Sequence, residues 1–271
     1  MTKRKDRGFR LGTTSFIFPD HIIPNVEKLG PYFDEIELLV FESRPQQVIP
    51  SRADVETLFH LSHELDLKYN IHLPVDVSLT ARDARDRKEA ADTLIRVIRR
   101  FEPLAPTTHT LHLPMPEDTK NRSHWEKRAM EGLDFLIPGL RSPESVSVET
   151  LDYPPEYLDP ILDRYPMGLC LDAGHHFRYG HDLEKTLKTH GERISIIHLH
   201  GVDFKGQKPR DHTGLDRLPK DMFSRVERCL ECFEGTLSLE VFSLDNLNRS
   251  LGVMKEVFSD IPNQLNNPPG M

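Results

Sequence analysis

The chain has 271 residues, a formal net charge of −8 and a pI near 6.0. Its length suits one α/β barrel of roughly 250 residues, and no run reaches the ~18 apolar residues of a membrane helix. The acidic balance excludes a protein that holds duplex nucleic acid mainly through its overall field, and leaves only a local basic groove open to that role. The basic start MTKRKDRGF is not followed by an apolar stretch of signal-peptide length, so a cytoplasmic protein without membrane partners is expected. Three cysteines, Cys170, Cys229 and Cys232, are too few for a disulfide framework. The CxxC pair lies in a helical stretch, FSRVERCLECF, and reads as two small residues on a helix.

In chain order the first strand-like run is FRLGTTS (9–15), followed by DEIELLVFE (34–42). ADVETLFHLSHELDL (53–67) then has a helical period, with Val55, Leu58, Phe59, Ser62 and Leu65 on one stripe. KYNIHLP (68–74) is the third strand, and DVSLTARDARDRKEA (76–90) after it reads either as a lid or as a charged helix start. RKEAADTLIRVIRRFEPL (87–104) is a helix with Ala90, Leu94, Ile95, Ile98 and Phe101 inward. THTLHLP (108–114), SVSVETL (145–151) and MGLCLDAG (167–174) follow as strands. DLEKTLKTHG (182–191) is a helix ending in a glycine suited to a C-cap. ISIIHLHGV (194–202) and TLSLEVF (236–242) complete eight strand-like runs. Strands alternating with helices imply parallel pairing, and eight units close a (β/α)₈ TIM barrel. The rival open sheet would favour a GxGxxG turn after its first strand, and there is none here. One domain over 1–259 is expected, with the Pro/Asn-rich 260–271 as a disordered tail.

In such a barrel the C-terminal strand ends face the catalytic mouth. The polar residues at those ends are Glu37 and Glu42, His72, His112, Glu149, Asp172, His198 with His200, and Glu240. His175 follows Asp172 closely, and Asp203, Asp211 and His212 follow the seventh strand. Each alone has an ordinary explanation as a hydrogen-bonded core residue or a turn cap. Together, that many buried imidazoles and carboxylates would cost several kcal/mol per charge without a cation. A divalent metal cluster removes that penalty, so metal ligation is the expected role. Alternation along strand seven lets both His198 and His200 point inward, His198 the deeper. His109, His181 and His190 have no such placement, and His176 beside His175 reads as either a supporting or an exposed residue.

These motifs resemble the xylose isomerase-like barrels, and especially their endonuclease IV-like branch, AP endonuclease family 2. The resemblance covers strands two to eight. It implies that His72, His112 and Glu149 hold one metal, and that Glu149 bridges to a second held by Asp172, His198 and Glu240. A third metal in that branch uses a histidine after strand six and a D-x-H in the next loop. Here Asp211 and His212 are adjacent, so Asp211, His212 and His175 are a candidate set that departs from the pattern. The stretch LGTTSFIFPDHIIPNVEKLGPYFDEIELLVFES (11–43) resembles the cobamide-remodelling phosphodiesterases of the same branch. That likeness implies hydrolysis of the phosphoribosyl linkage in a cobamide's nucleotide loop, giving cobinamide phosphate and an α-riboside.

For such a reaction, two or more divalent ions (zinc or manganese, with iron as a third option) would supply most of the chemistry, and Glu149 and Glu240 are the candidate catalytic carboxylates. Arg44, Arg178 and Arg210, just past strands two, six and seven, are candidates to clamp phosphate, and Glu42 and His200 are candidates to contact substrate. The rival reading is a single-metal sugar isomerase or epimerase using Glu149, Asp172, His198 and Glu240. His72 and His112 separate the two, because one metal does not need them. An abasic-site endonuclease is the second rival, weakened by the −8 charge.

Overall fold

The computed structural model describes residues 7–44, 48–116 and 121–266. Eight parallel strands close a barrel: β1 (Arg10–Thr14), β2 (Glu35–Leu39), β3 (Lys68–His72), β4 (His109–Leu111), β5 (Val146–Glu149), β6 (Gly168–Asp172), β7 (Ile194–Leu199) and β10 (Thr236–Leu239). Each pairs with its chain neighbour, and β10 returns to β1 with Leu11 opposite Leu237. After β7 the chain adds an antiparallel hairpin, β8 (Gly201–Asp203) and β9 (Arg210–Thr213). The expected (β/α)₈ barrel is therefore the observed fold, and all eight strand-like runs supply its staves.

The helices are α1 (Ile22–Leu29), α2 (Arg52–Glu64), α3 (Ala84–Phe101), α4 (Arg122–Leu136), α5 (Asp159–Arg164), α6 (Ala173–Tyr179), α7 (Leu183–His190), α8 (Lys220–Leu230) and α9 (Leu244–Lys255). The main core lies between them and the strands. On β2, Ile36 and Leu38 face outward into that layer, while Glu35 and Glu37 face the barrel axis. The same period of two sends Ser147 and Glu149, Cys170 and Asp172, and Thr236, Ser238 and Glu240 inward. The interior is thus polar, and its lower part is satisfied locally. Glu35 takes Arg10 at 2.9 Å, with Asn70, Thr107 and Thr236 as further donors.

The helix stripes differ from expectation in detail. On α2, Val55 and Leu58 are buried but Phe59 is 40% exposed, because the helix packs on a narrower face than its apolar residues span. Gly191 after α7 is right-handed and opens a 3₁₀ turn (φ −51°), so it is not a left-handed cap. Gly180, closing α6 at φ 73°, plays that part instead. Cys229 is buried on α8 and Cys232 lies exposed beyond its end.

The segment after β3 is anchored rather than lid-like. Leu79 and Thr80 are buried, Thr80 donates to the Pro114 carbonyl at 2.6 Å, and Asp76 accepts from the Ser43 backbone at 2.9 Å. Leu79 lies over Gly132 of α4, where an added Cβ would sit 2.2 Å from the Leu79 carbonyl oxygen. From Ala84 onward the same stretch is simply the start of α3. Of the expected tail, Ile261 and Leu265 are buried, and the Leu265 backbone exchanges two hydrogen bonds with the Asn248 side chain. Residues 267–271 lie outside the described residues.

Candidate metal centre at the barrel mouth

The inward side chains at the strand ends converge on Glu149, 1% exposed at the end of β5. Its two oxygens face different partners. Oε2 is 2.8 Å from His112 Nε2 and 3.5 Å from His72 Nε2. Oε1 is 3.6 Å from His198 Nδ1. The His72 ring is oriented by its own strand end, with Nδ1 3.0 Å from the Leu73 carbonyl. That contact keeps the proton on Nδ1, which donates to the carbonyl, and leaves the Nε2 lone pair toward the cluster.

On the other side, His198 Nδ1 is 3.4 Å from Glu240 Oε2. Asp172 ends β6 and caps α6, its Oδ1 accepting from the His175 backbone at 2.7 Å. The D-x-x-H spacing is therefore a helix start: it sets His175 one turn above the aspartate, with Nδ1 3.2 Å from Asp172 Oδ2. Two sets of donor atoms result, each lying within 4.8 Å of one another: His72, His112 and Glu149, and Glu149, Asp172, His198 and Glu240.

A third set joins His175, His200 and His212. Asp211, expected in this group, pairs through Oδ2 with Arg178 and keeps Oδ1 3.5 Å from His212 Nδ1, while His200 joins the two histidines. The reason is steric and topological. β7 ends at Leu199 and the hairpin turns His200 inward over Gly174, where an added Cβ would lie 2.1 Å from the imidazole Cε1. His212 holds a left-handed backbone (φ 51°) on β9, which turns its ring onto His200 (centroids 4.2 Å apart). Non-glycine residues in that region are strained, and such strain concentrates at functional sites. Gly174→Ala is expected to push His200 aside and cost about 1–3 kcal/mol of stability. Urea unfolding checks this, and an unchanged midpoint would contradict the close packing.

The remaining candidates belong to none of the three donor sets. Arg178 is engaged by Asp211, and Arg210 reaches Asp203 at 3.1 Å. Glu42 and Arg44 are exposed on the loop after β2. The structure also brings in residues that had no assigned role. Phe41 packs edge-on against His72 and Phe242 stacks on His212, walling the site at centroid distances of 5.2 and 5.0 Å. Cys170 lies within reach of Glu149 and His198 through the inward parity of β6. Burial pushes its thiol well above the usual range, which favours a neutral packing residue. His176 and His109 are buried neutral imidazoles, each drawn down to about 4 by desolvation and held by backbone carbonyls.

The residues present fit divalent cations. Asp172 Oδ2, His198 Nδ1, His200 Nε2 and Glu240 Oε2 are buried and have no hydrogen-bond partner among the described residues. Native proteins rarely leave such atoms unpaired. A mixed set of imidazoles and carboxylates is the donor chemistry of zinc, manganese or iron. Without a cation the charges are met by protons. Burial would lower His72 and His198, yet Glu149 raises the first, and Cys170, Glu37, Glu240 and Glu149 raise the second well above the ordinary value of 6.5. Burial would raise Glu149, yet His112 and His198 hold it well below the usual carboxylate range.

Metal uptake must displace those histidine protons. Affinity is therefore expected to rise with pH through and above the ordinary histidine range, with proton release visible by calorimetry in buffers of different ionisation enthalpy. The metal-free fold follows the opposite trend. Histidines with raised pKa values stabilise it fully below the unfolded value, and that contribution is lost as pH climbs through the folded one. Metal should thus raise the melting temperature most on the alkaline side. Uptake without proton release would contradict this linkage.

Residues 23–257 match the family model of the xylose isomerase-like TIM barrel. The chain belongs to that family. Among solved structures it is similar to the IolI protein with a bound zinc atom, at TM-score 0.70 and 16% identity, covering 93% of this chain and 100% of that one. Endonuclease IV from Thermus thermophilus superposes with TM-score 0.68 and 19% identity, covering 92% and 100%. A D-tagatose 3-epimerase-like protein gives TM-score 0.69 and 16% identity, covering 92% and 96%. At these identities the likeness establishes the barrel architecture. Among the described residues, no helix is long and apolar enough to cross a membrane.

Proposed function

We propose that this protein is a metal-dependent phosphodiesterase that hydrolyses the phosphoribosyl linkage in the nucleotide loop of cobamides. The observation that carries the hydrolase class is the division of Glu149, with one carboxylate oxygen toward His72 and His112 and the other toward His198. That is the disposition of a carboxylate bridging two cations. His72, His112 and Glu149 would hold one ion, and Glu149, Asp172, His198 and Glu240 the other. When bound, paired divalent ions lower the pKa of a water and neutralise charge building on a phosphoryl group.

The chain's own residues shape the rest. Glu240 Oε2 has no hydrogen bond among the described residues and lies 3.4 Å from both His198 Nδ1 and His212 Nε2, placed to accept a proton at the reacting centre. Phe41 and Phe242 exclude water from the cluster flank. Exposed apolar side chains include Phe16 just past β1, Val75 just past β3, Tyr179 at the end of α6 and Phe204 just past β8, each at least 39% exposed. Apolar side chains of this kind suit a substrate with a broad apolar face better than a small sugar. The likeness of residues 11–43 to the cobamide-remodelling enzymes supports a corrinoid specifically.

The sugar epimerase reading has one observation in its favour. Glu149, Asp172, His198 and Glu240 form a complete single-metal set with two glutamates able to move a proton. The deciding assay incubates metal-loaded protein with cobamides carrying different lower bases and separates the products by chromatography. Release of an α-riboside and cobinamide phosphate is the expected result. Intact cobamide, with protein that demonstrably holds two metals, would overturn the substrate assignment, and ketoses and abasic DNA would then be tested.

A further inference from the structure

Glu37 lies inside the barrel below the cluster and is fully buried. Its strand neighbour Glu35 faces Arg10 and three further donors, but Glu37 has no such company. Oε2 accepts from Ser238 Oγ at 2.8 Å. Oε1 lies 3.0 Å from His198 Nε2, and neither atom has an aligned hydrogen bond among the described residues. Among those residues His198 is the one basic side chain within ion-pair distance of Glu37. Ser238 is also the cross-strand neighbour of His198, so one register fixes these two groups against Glu37. A buried carboxylate with so few partners is several kcal/mol unfavourable unless it meets a cation or a committed N–H donor.

We infer that Glu37 is a positioning residue that holds the His198 proton on Nε2 and so presents the Nδ1 lone pair to the second metal. The two ring nitrogens divide the work by geometry. Nε2 faces Glu37, while Nδ1 faces Glu149 at 3.6 Å and Glu240 at 3.4 Å. Glu37 belongs to none of the donor sets itself, so its action runs through the imidazole. A carboxylate behind a ligating histidine fixes its tautomer and ring orientation and raises its basicity. The inference rests on the metal-centre reading but not on the cobamide substrate.

The test uses the full chain and zinc alone, comparing wild type with Glu37→Ala, Glu37→Gln and Ser238→Ala. Competition with a chromophoric chelator gives the affinity of each site. Long-range ¹⁵N–¹H spectra of the imidazole rings report the His198 tautomer separately from His72 and His112. Glu37→Ala is expected to weaken the His198 site by about 10–100-fold, with His198 Nε2 losing its fixed proton. The His72 and His112 ring signals and their zinc affinity should stay as in wild type. Glu37→Gln, which keeps an oxygen able to face Nε2 but not the charge, should lose less, and Ser238→Ala less again. Two zinc ions bound by wild type and by Glu37→Ala with equal affinity and identical ring spectra would overturn the role alone. Equal weakening at both sites would overturn it too, as general disruption of the barrel. A wild-type protein that takes up no zinc would overturn the metal centre itself.

Discussion

Glu149→Ala is expected to remove both metals of the Glu149-linked pair and to lower phosphodiester hydrolysis by about 10³-fold or more, the rate equivalent of the several kcal/mol that metal ions supply. The reason is geometric. Each oxygen of this carboxylate addresses a different donor set, at 2.8 Å to His112 and 3.6 Å to His198, so no single-site loss is available. Glu149→Gln keeps the volume and one acceptor but not the charge, and should lose metal almost as completely. This isosteric variant guards against reading a folding defect as a catalytic one. Metal content after dialysis, set against turnover, decides the matter. Two ions retained by either variant would make Glu149 a bystander.

The paired change His72→Ala, His112→Ala should separate the two chemistries this barrel permits. It deletes the first donor set and leaves Glu149, Asp172, His198 and Glu240 intact. One metal should remain bound, while hydrolysis falls by about 10²–10⁴-fold, the range expected when transition-state charge loses one stabilising centre. An epimerase working through one metal would keep its activity on a ketose in this variant. Survival of phosphodiester hydrolysis at the wild-type rate would remove the two-metal mechanism. Phe41, which packs against the His72 ring, would lose that contact, so melting temperature should be followed in parallel.

Much of the site is written in local pattern. A parallel strand buried on both faces needs apolar residues outward, and its period of two then forces every second residue inward. That parity alone aligns His72, His112, Glu149, Asp172, His198 and Glu240 with the axis, and chain direction puts them at one end of the barrel. The D-x-x-H of Asp172 and His175 is likewise local, because a helix cap fixes the spacing. The third set was less legible. Alternation along β7 already lets His200 point inward, but no short-range rule says whether it or Asp211 meets His175 and His212. The β8–β9 hairpin, the left-handed His212 and the bare face of Gly174 decide it by bringing parts 26 to 38 residues apart into one packing. Arg178, which reads in sequence as a phosphate clamp, is claimed by Asp211 through the same arrangement.

By itself, the sequence determined the eight-strand barrel, its closed order and the inward parity of the candidate metal donors, because hydrophobic periodicity and strand–helix alternation act within a few residues. Tertiary structure alone decided which oxygen of Glu149 faces which histidine, that Glu37 stands behind His198, and that His200 meets both His175 and His212. Those outcomes depend on strand register around a closed barrel and on side chains meeting across its interior. Glu37 and His198 are far apart in the chain and on strands that do not pair, so their contact exists only once the barrel has closed.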